Sequence, residues 1–274
     1  MSKRKGFTFI EIALFLAVTA ALFIGVALGI NKSIFQQQYN DATQNFFEFL
    51  RSVYSQVSNP QSVGEGNSEN AIYGKLIVFG ETVDLLGNSI LNDEQQIFVY
   101  DVIGSVESDI SGGILKALGA AKINVIVVKK GSNDRIQSVD LASPEKYVPR
   151  WSVRIEDIDG NPIEKSILIV RHPSSGTINT LVSNRVIEVN KKVQQVRSCI
   201  GNTSCPNAQV FEFDNTTKAL KNFSVLEDTD FCINPYGEGE REDLFRRDIK
   251  IFENARNASS VQLMELDADE NTCK

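Results

Sequence analysis

The chain has 274 residues, room for one sizeable domain or two small ones. Its hydrophobic content of 42% is ordinary for a globular protein and argues against a multispan membrane protein. The formal charge is −7; without residues 1–6, which hold three of the 28 basic side chains, 25 basic face 35 acidic residues, a net of −10, and that argues against a general nucleic-acid binder.

The first thirty positions read MSKRKGFTFIEIALFLAVTAALFIGVALGI. Behind the basic cluster Lys3, Arg4 and Lys5 runs a nearly unbroken apolar stretch, Phe7 to Ile30, whose single ionisable side chain is Glu11. As a helix it would be about 36 Å long, enough to cross a hydrocarbon core of ~30 Å. It is too long for the apolar segment of a secretory signal peptide. A carboxylate in such a segment costs about 2.5–3.5 kcal/mol on insertion scales, so its presence needs a reason.

The stretch KGFTFIE followed by a long apolar helix resembles the N-terminus of type IV pilins and of type II secretion pseudopilins. The resemblance implies that residues 1–6 are a leader cut after Gly6 by prepilin peptidase. Phe7 then becomes the N-methylated chain start and Glu11 the fifth mature residue. The new α-amino group is cationic at neutral pH, and Glu11 lies one helical turn further on. The resemblance implies that Glu11 meets the terminus of a neighbouring subunit. A buried pair of this kind adds little net stability, whereas an unpaired charge is heavily penalised, so it acts as a register device. Many pilins carry a proline in this segment. Residues 7–58 here have none, which leaves Gly25 and Gly29 as the weak points where the helix would melt on assembly.

Helical periodicity continues past residue 30. Phe35, Tyr39, Ala42, Phe46, Phe49, Val53 and Val57 recur at steps of three and four, the stripe of an amphipathic helix. The helix is expected to end near Ser58-Asn59-Pro60, followed by a polar loop from Gln61 to Asn70. The expected divisions are therefore a leader at 1–6, a membrane or filament-core half-helix at 7–30, an amphipathic half at 31–59 and a β-rich head at 60–274.

In the head, strands are expected at Tyr73–Phe79, Gln96–Ile103, Asn124–Val128, Trp151–Ile158, Ser166–Arg171, Arg185–Val193, Gln209–Phe213, Phe231–Asn234, Asp248–Phe252 and Val261–Leu266. Asp159-Gly160-Asn161-Pro162 reads as a turn, and a short helix is expected after Ser111. YGKLIVFG followed by QIFVYDV, and FCINP followed by RRDIKIF, loosely resemble the H-type minor pilins and their DNA-uptake relatives, with an insertion expected around residues 105–150. The fold class expected is α+β, a pilin-like helical spike with a C-terminal β-rich head.

Cys199, Cys205, Cys232 and Cys273 contain no Cys-x-x-Cys pair, which speaks for disulfides over zinc. Three connectivities are open, and Cys199–Cys205 with Cys232–Cys273 is favoured. No catalytic constellation is found: the lone histidine, His172, stands where a strand runs into a turn, so the chain reads as a non-enzyme. Arg241, Arg246, Arg247, Lys250 and Arg256 form a candidate DNA-phosphate contact, although five acids are interleaved with them. Asp267, Asp269 and Asn271 alternate as calcium ligands do, but Thr272 replaces the glycine that an EF-hand turn needs. No other cofactor is expected.

Taken with the resemblance, these features imply a single-pass membrane precursor that polymerises with other pilin subunits into an extracellular filament for adhesion, twitching motility or DNA uptake. Its implied partners are the peptidase, the assembly platform and its ATPase, the membrane before assembly and, more weakly, DNA. The alternative is a low-copy minor pilin or secretion pseudopilin whose head binds DNA or cargo.

Overall fold

A computed structural model describes residues 8–59, 71–84, 86–90, 95–105, 122–123, 127–130, 136–140, 144–151, 153–172, 175–198, 211, 213–214, 216–217, 219–235, 247–264 and 273. It begins with one uninterrupted helix, α1, Phe9–Ser58, about 75 Å long at the standard rise. Thr8 is its N-cap, in extended backbone (φ −75°, ψ 153°), and the Asn59 amide closes the far end on the Ser55 carbonyl at 3.0 Å. The helix runs straight through Gly25 and Gly29, where an added Cβ would meet nothing within 4 Å.

From Tyr39 onward α1 buries the expected stripe: Tyr39, Ala42, Phe46, Phe49, Val53 and Val57 are all buried. Phe35, at the entry to the head, is half-buried. Thr43, Leu50 and Tyr54 are buried as well, so the covered face is wider than a single stripe. The cause is that α1 is covered by two sheets and not one.

The larger sheet is antiparallel throughout. It contains β1 (Ala71–Phe79), β2 (Ile97–Ser105), β3 (Lys122–Ile123), β6 (Glu145–Tyr147), β8 (Ser166–Arg171), β9 (Ile178–Ser183) and β12 (Ser224–Val225). The order is β12-β9-β8-β1-β2-β3, with β6 pairing along the first residues of β2. Register places Ile77 opposite both Val99 and Ile167, and Ile167 opposite Val182, a β-branched row that faces α1. Gly74 allows β1 and β8 to approach: a Cβ there would lie 2.6 Å from the Ile169 carbonyl oxygen.

The smaller sheet has the order β15-β14-β13-β7, from β7 (Val153–Glu156), β13 (Thr229–Pro235), β14 (Arg247–Ile251) and β15 (Val261–Met264). Two further antiparallel pairs are β4 (Val127–Lys130) with β5 (Ile136–Asp140), and β10 (Phe213–Asp214) with β11 (Ala219–Leu220). The chain passes between the two sheets at the expected Asp-Gly turn. There Asp157 Oδ1 accepts from the Asp159 and Asn161 amides at 2.9 and 2.8 Å, and Gly160 takes φ +82°.

One core fills the space between α1 and the two sheets. Phe231 of β13 is its keystone, with its ring 5.7 Å from Phe46 of α1 and 5.4 Å from Phe79 of β1. Two tyrosines fasten the helix at polar points. The Tyr39 hydroxyl donates to the Ile233 carbonyl at 2.6 Å, and the Tyr54 hydroxyl meets Thr180 Oγ1 at 3.1 Å, which in turn donates to the Ala255 carbonyl at 2.8 Å. Gln95 stitches the sheets together by pairing its amide with both backbone groups of Ile155, at 2.7 and 2.8 Å.

The structure corrects several expectations. The strand expected at Arg185–Val193 is a bend followed by a helix, α2 (Val189–Arg197). Val189 and Val193, one turn apart, are both fully buried, so helical spacing outweighs the β-branched composition. Trp151 does not open β7; it is exposed at φ +62°, and the strand starts at Val153. Of the strand expected at Gln209–Phe213, Phe213 is in a strand and Phe211 is not, and of Asn124–Val128, Val127 and Val128 are in a strand; the other residues of both windows lie outside the described residues. Strands β3, β5, β6, β9, β11 and β12 were not expected. The expected helix after Ser111 lies outside the described residues.

Candidate assembly surface and polar sites of the head

The free part of α1 is where the chain departs most from a soluble protein. No residue of Phe9–Val26 is buried, its mean hydropathy is 2.5, and it is long and apolar enough to cross a membrane. Phe9 is 86% and Phe23 71% exposed, among nine other bare large aliphatic and aromatic side chains of Phe9–Val26. One such helix near the N-terminus fits a membrane anchor or a signal sequence by length and composition.

Glu11 sits in the first turn of this helix and already has partners. Its Oε2 accepts from the Thr8 backbone amide at 2.7 Å and from the Thr8 hydroxyl at 3.0 Å, while Thr8 Oγ1 accepts from the Glu11 amide at 3.3 Å. This is a capping box: two helix-end donors are satisfied reciprocally, and the acid faces the positive end of the helix dipole. Within a single chain Glu11 therefore has a structural duty that the sequence analysis missed. The signal was present as Thr-x-x-Glu ahead of an apolar run. Gly6 and Phe7 lie outside the described residues.

The described members of the basic cluster lie apart. Arg241 and Arg246 are outside the described residues. Arg247 shares strand parity with Ile249 and Ile251, which fill the core, whereas Lys250 has the opposite parity. Lys250 Nζ is held by Asp228 at 2.9 Å and Asp230 at 3.8 Å, which leaves it little charge to offer a phosphate. Arg256 lies beyond the strand, just before the 3₁₀ turn Ala258–Ser260. The described members thus do not form one cationic face.

Asp267, Asp269 and Asn271 lie outside the described residues, and no cluster able to hold a metal occurs among the described ones. His172 ends β8 in a turn: its amide donates to the Thr177 carbonyl at 2.7 Å, and its Nδ1 accepts from the Ser175 amide at 3.3 Å.

Cys232 and Cys273 form a disulfide, as favoured, with Cα atoms 5.6 Å apart and both residues buried. Cys199 and Cys205 lie outside the described residues. Closing a loop of this length is worth about 4 kcal/mol by chain entropy. Reduction, or Cys232→Ser, is expected to lower the unfolding free energy by about that amount. Chemical denaturation of the full chain with and without reductant would check it, and an unchanged midpoint would show that the strands hold the tail unaided.

Two buried carboxyls are the main electrostatic anomaly of the head. Glu81 follows β1 and receives the Asn190 amide at 3.1 Å and the Tyr100 hydroxyl at 3.2 Å, which ties the start of α2 to the sheet. Asn190 Nδ2 completes the tie by donating to the Val83 carbonyl at 2.9 Å. Burial raises the Glu81 pKa to about 7 despite these donors. Asp248 lies on the outer face of the smaller sheet, opposite Cys232. Burial first, and then the charge of neighbouring Asp230, raise it to about 7. Neither carboxyl is marked as buried by the sequence, since the burial of each arises only in the packed head.

No protein-family model, no curated protein and no solved structure matches the chain.

Proposed function

We propose that the chain is a structural subunit of the type IV pilin class, processed after Gly6 and polymerised through α1 into an extracellular filament. The observation that carries this reading is the bare apolar half of α1, which continues without a break into a half gripped by the head and bears a lone carboxylate in its first turn. Lipid would cover that surface before assembly and the helices of other subunits after it. The head would remain in solvent and serve attachment, motility or DNA uptake.

Mass spectrometry of the protein from its source cell tests the processing step, and a mature terminus other than Phe7 rejects the proposal. The capping box allows a second test that separates charge from helix capping. Glu11→Gln keeps a side chain able to close the box and removes the charge, whereas Glu11→Ala removes both. Both variants are expected to be processed and inserted, and both to give few filaments. Normal filament yield from Glu11→Gln would show that the acid serves only to start the helix.

A further inference from the structure

We infer that Asn257, at the tip of the loop between β14 and β15, is a modification site that carries an N-linked glycan. Asn-x-Ser/Thr triplets, with a middle residue other than proline, begin at Asn31, Asn202, Asn215, Asn222 and Asn257. The fold sorts them. Asn202 and Asn215 lie outside the described residues, and Asn31 is inside the unbroken helix α1. Asn222 leads straight into β12, where Ser224 pairs with Val182 of β9 and Phe223 packs its ring 5.9 Å from Phe211. The hydroxyl of that triplet is therefore fixed in a sheet.

At Asn257 the three residues of the triplet form a projecting turn. The Phe252 amide donates to the Ser260 carbonyl at 3.1 Å and closes the base of the loop. Ala255 is buried and Ala258 rests against the core, so the loop is pinned on both sides of its tip. Asn257 and Ser259 remain exposed. Asn257 Oδ1 accepts from the Ser259 amide at 3.0 Å and from the Ser259 hydroxyl at 2.6 Å, with Ser260 Oγ at 3.5 Å. Its Nδ2 has no partner among the described residues. The amide nitrogen and the hydroxyl that a glycan transferase reads are thus offered together on one small exposed surface.

The chemistry uses the atom that the fold leaves free. Donors on Oδ1 draw charge onto the oxygen and make the Nδ2 protons easier to remove. Nδ2 gives one proton to a carboxylate of the transferase and forms a bond to C1 of a glycan carried on a polyprenyl diphosphate. The C1–O bond breaks, and the diphosphate leaves with its electron pair. The Asn257 carbonyl survives the transfer, so the turn that it closes is compatible with the modified state. Two further observations favour the site. The Cys232–Cys273 disulfide belongs to an oxidising compartment, where such transfer also takes place. Tyr54 reaches the Ala255 carbonyl through Thr180, which puts the loop near the end of α1 remote from Phe9–Val26. The inference uses the disulfide and the loop, and does not depend on the filament proposal.

The test is peptide mass spectrometry, with fragmentation that keeps the glycan attached, on the full chain purified from its source cell. The peptide holding Asn257 is expected to carry a sugar mass on that residue. Asn257→Asp keeps an oxygen to close the turn and removes the nitrogen, so it should fold with an unchanged thermal midpoint and lose the glycan completely. Ser259→Ala should lose it as well, whereas Ser259→Thr restores the hydroxyl and should retain it. An unmodified Asn257, a glycan on Asn222 in its place, or a glycan on Asn257 that persists in Ser259→Ala would overturn the inference. A mature terminus other than Phe7, read in the same experiment, rejects the filament proposal and leaves this one standing.

Discussion

Phe231→Ala is expected to cost about 3–5 kcal/mol of unfolding free energy, the range for emptying an aromatic from a packed core. The position is severe because the ring touches Phe46 on the helix and Phe79 on the larger sheet while belonging to the smaller one. Its loss opens a void where three layers meet, and no layer can close it without leaving another. Denaturant unfolding of the full chain in detergent, followed through the head, would measure the cost. A loss below about 1 kcal/mol would show that the sheets are held together by other contacts, such as Gln95 with Ile155. Phe231→Leu, which keeps most of the volume, should recover a large part of the difference.

The second large effect is an inverted pH response. Glu81 and Asp248 have folded-state pKa values of about 7, against ordinary values of 4.5 and 3.8. Between those limits the folded chain holds protons that the unfolded chain releases. Stability is therefore fully present below the ordinary values and falls as pH rises towards 7. Each group can contribute on the order of 3 kcal/mol to that fall, and both are charged and buried at pH 8. Tyr100, Asn190 and Glu188 surround the first, and Asp230 and Lys250 are close to the second.

Asp84, Asp214 and Asp228 act in the opposite sense. Hydrogen bonds from Asn88 for the first, the Thr216 amide for the second and the Glu253 amide for the third hold them below the ordinary range. Their support is lost only in stronger acid. The thermal midpoint should thus be highest near pH 5 and lower at pH 8. Glu81→Gln and Asp248→Asn should each flatten the profile and raise the midpoint at pH 8. A wild-type midpoint that rises steadily from pH 5 to 8 would show that solvent reaches both carboxyls.

What could be foreseen from sequence follows from where each signal arises. The stripe from Tyr39 to Val57 was legible because a helix covered along one side must repeat its apolar residues every third or fourth place. Leu50 and Tyr54 widen that face because a second sheet covers it, and nothing local announces a second sheet. β8 was recognised with its observed limits because Ser166–Arg171 is an almost unbroken apolar run, buried on both faces. Its neighbour β9 went unrecognised because Asn179 and Thr180 interrupt the run; Thr180 earns its buried place by linking Tyr54 to Ala255. The window of α2 is ambiguous because its valines suit a strand as well as a helix, and only the four-residue spacing of Val189 and Val193 separates the two. Thr8 with Glu11 was legible as a cap and was overlooked beside the more unusual fact of an acid in an apolar helix.

The two tyrosine fastenings of α1 have a mechanical meaning. Tyr39 grips one sheet and Tyr54 the other, at stations about 22 Å apart along the same rod. Tension applied to the free end of that rod loads both grips and the whole apolar seam between them in shear, where many contacts must yield together. Peeling, which breaks contacts one at a time, has no starting edge. The head should therefore travel with its stem as one rigid cargo, and rupture should begin elsewhere along the load path.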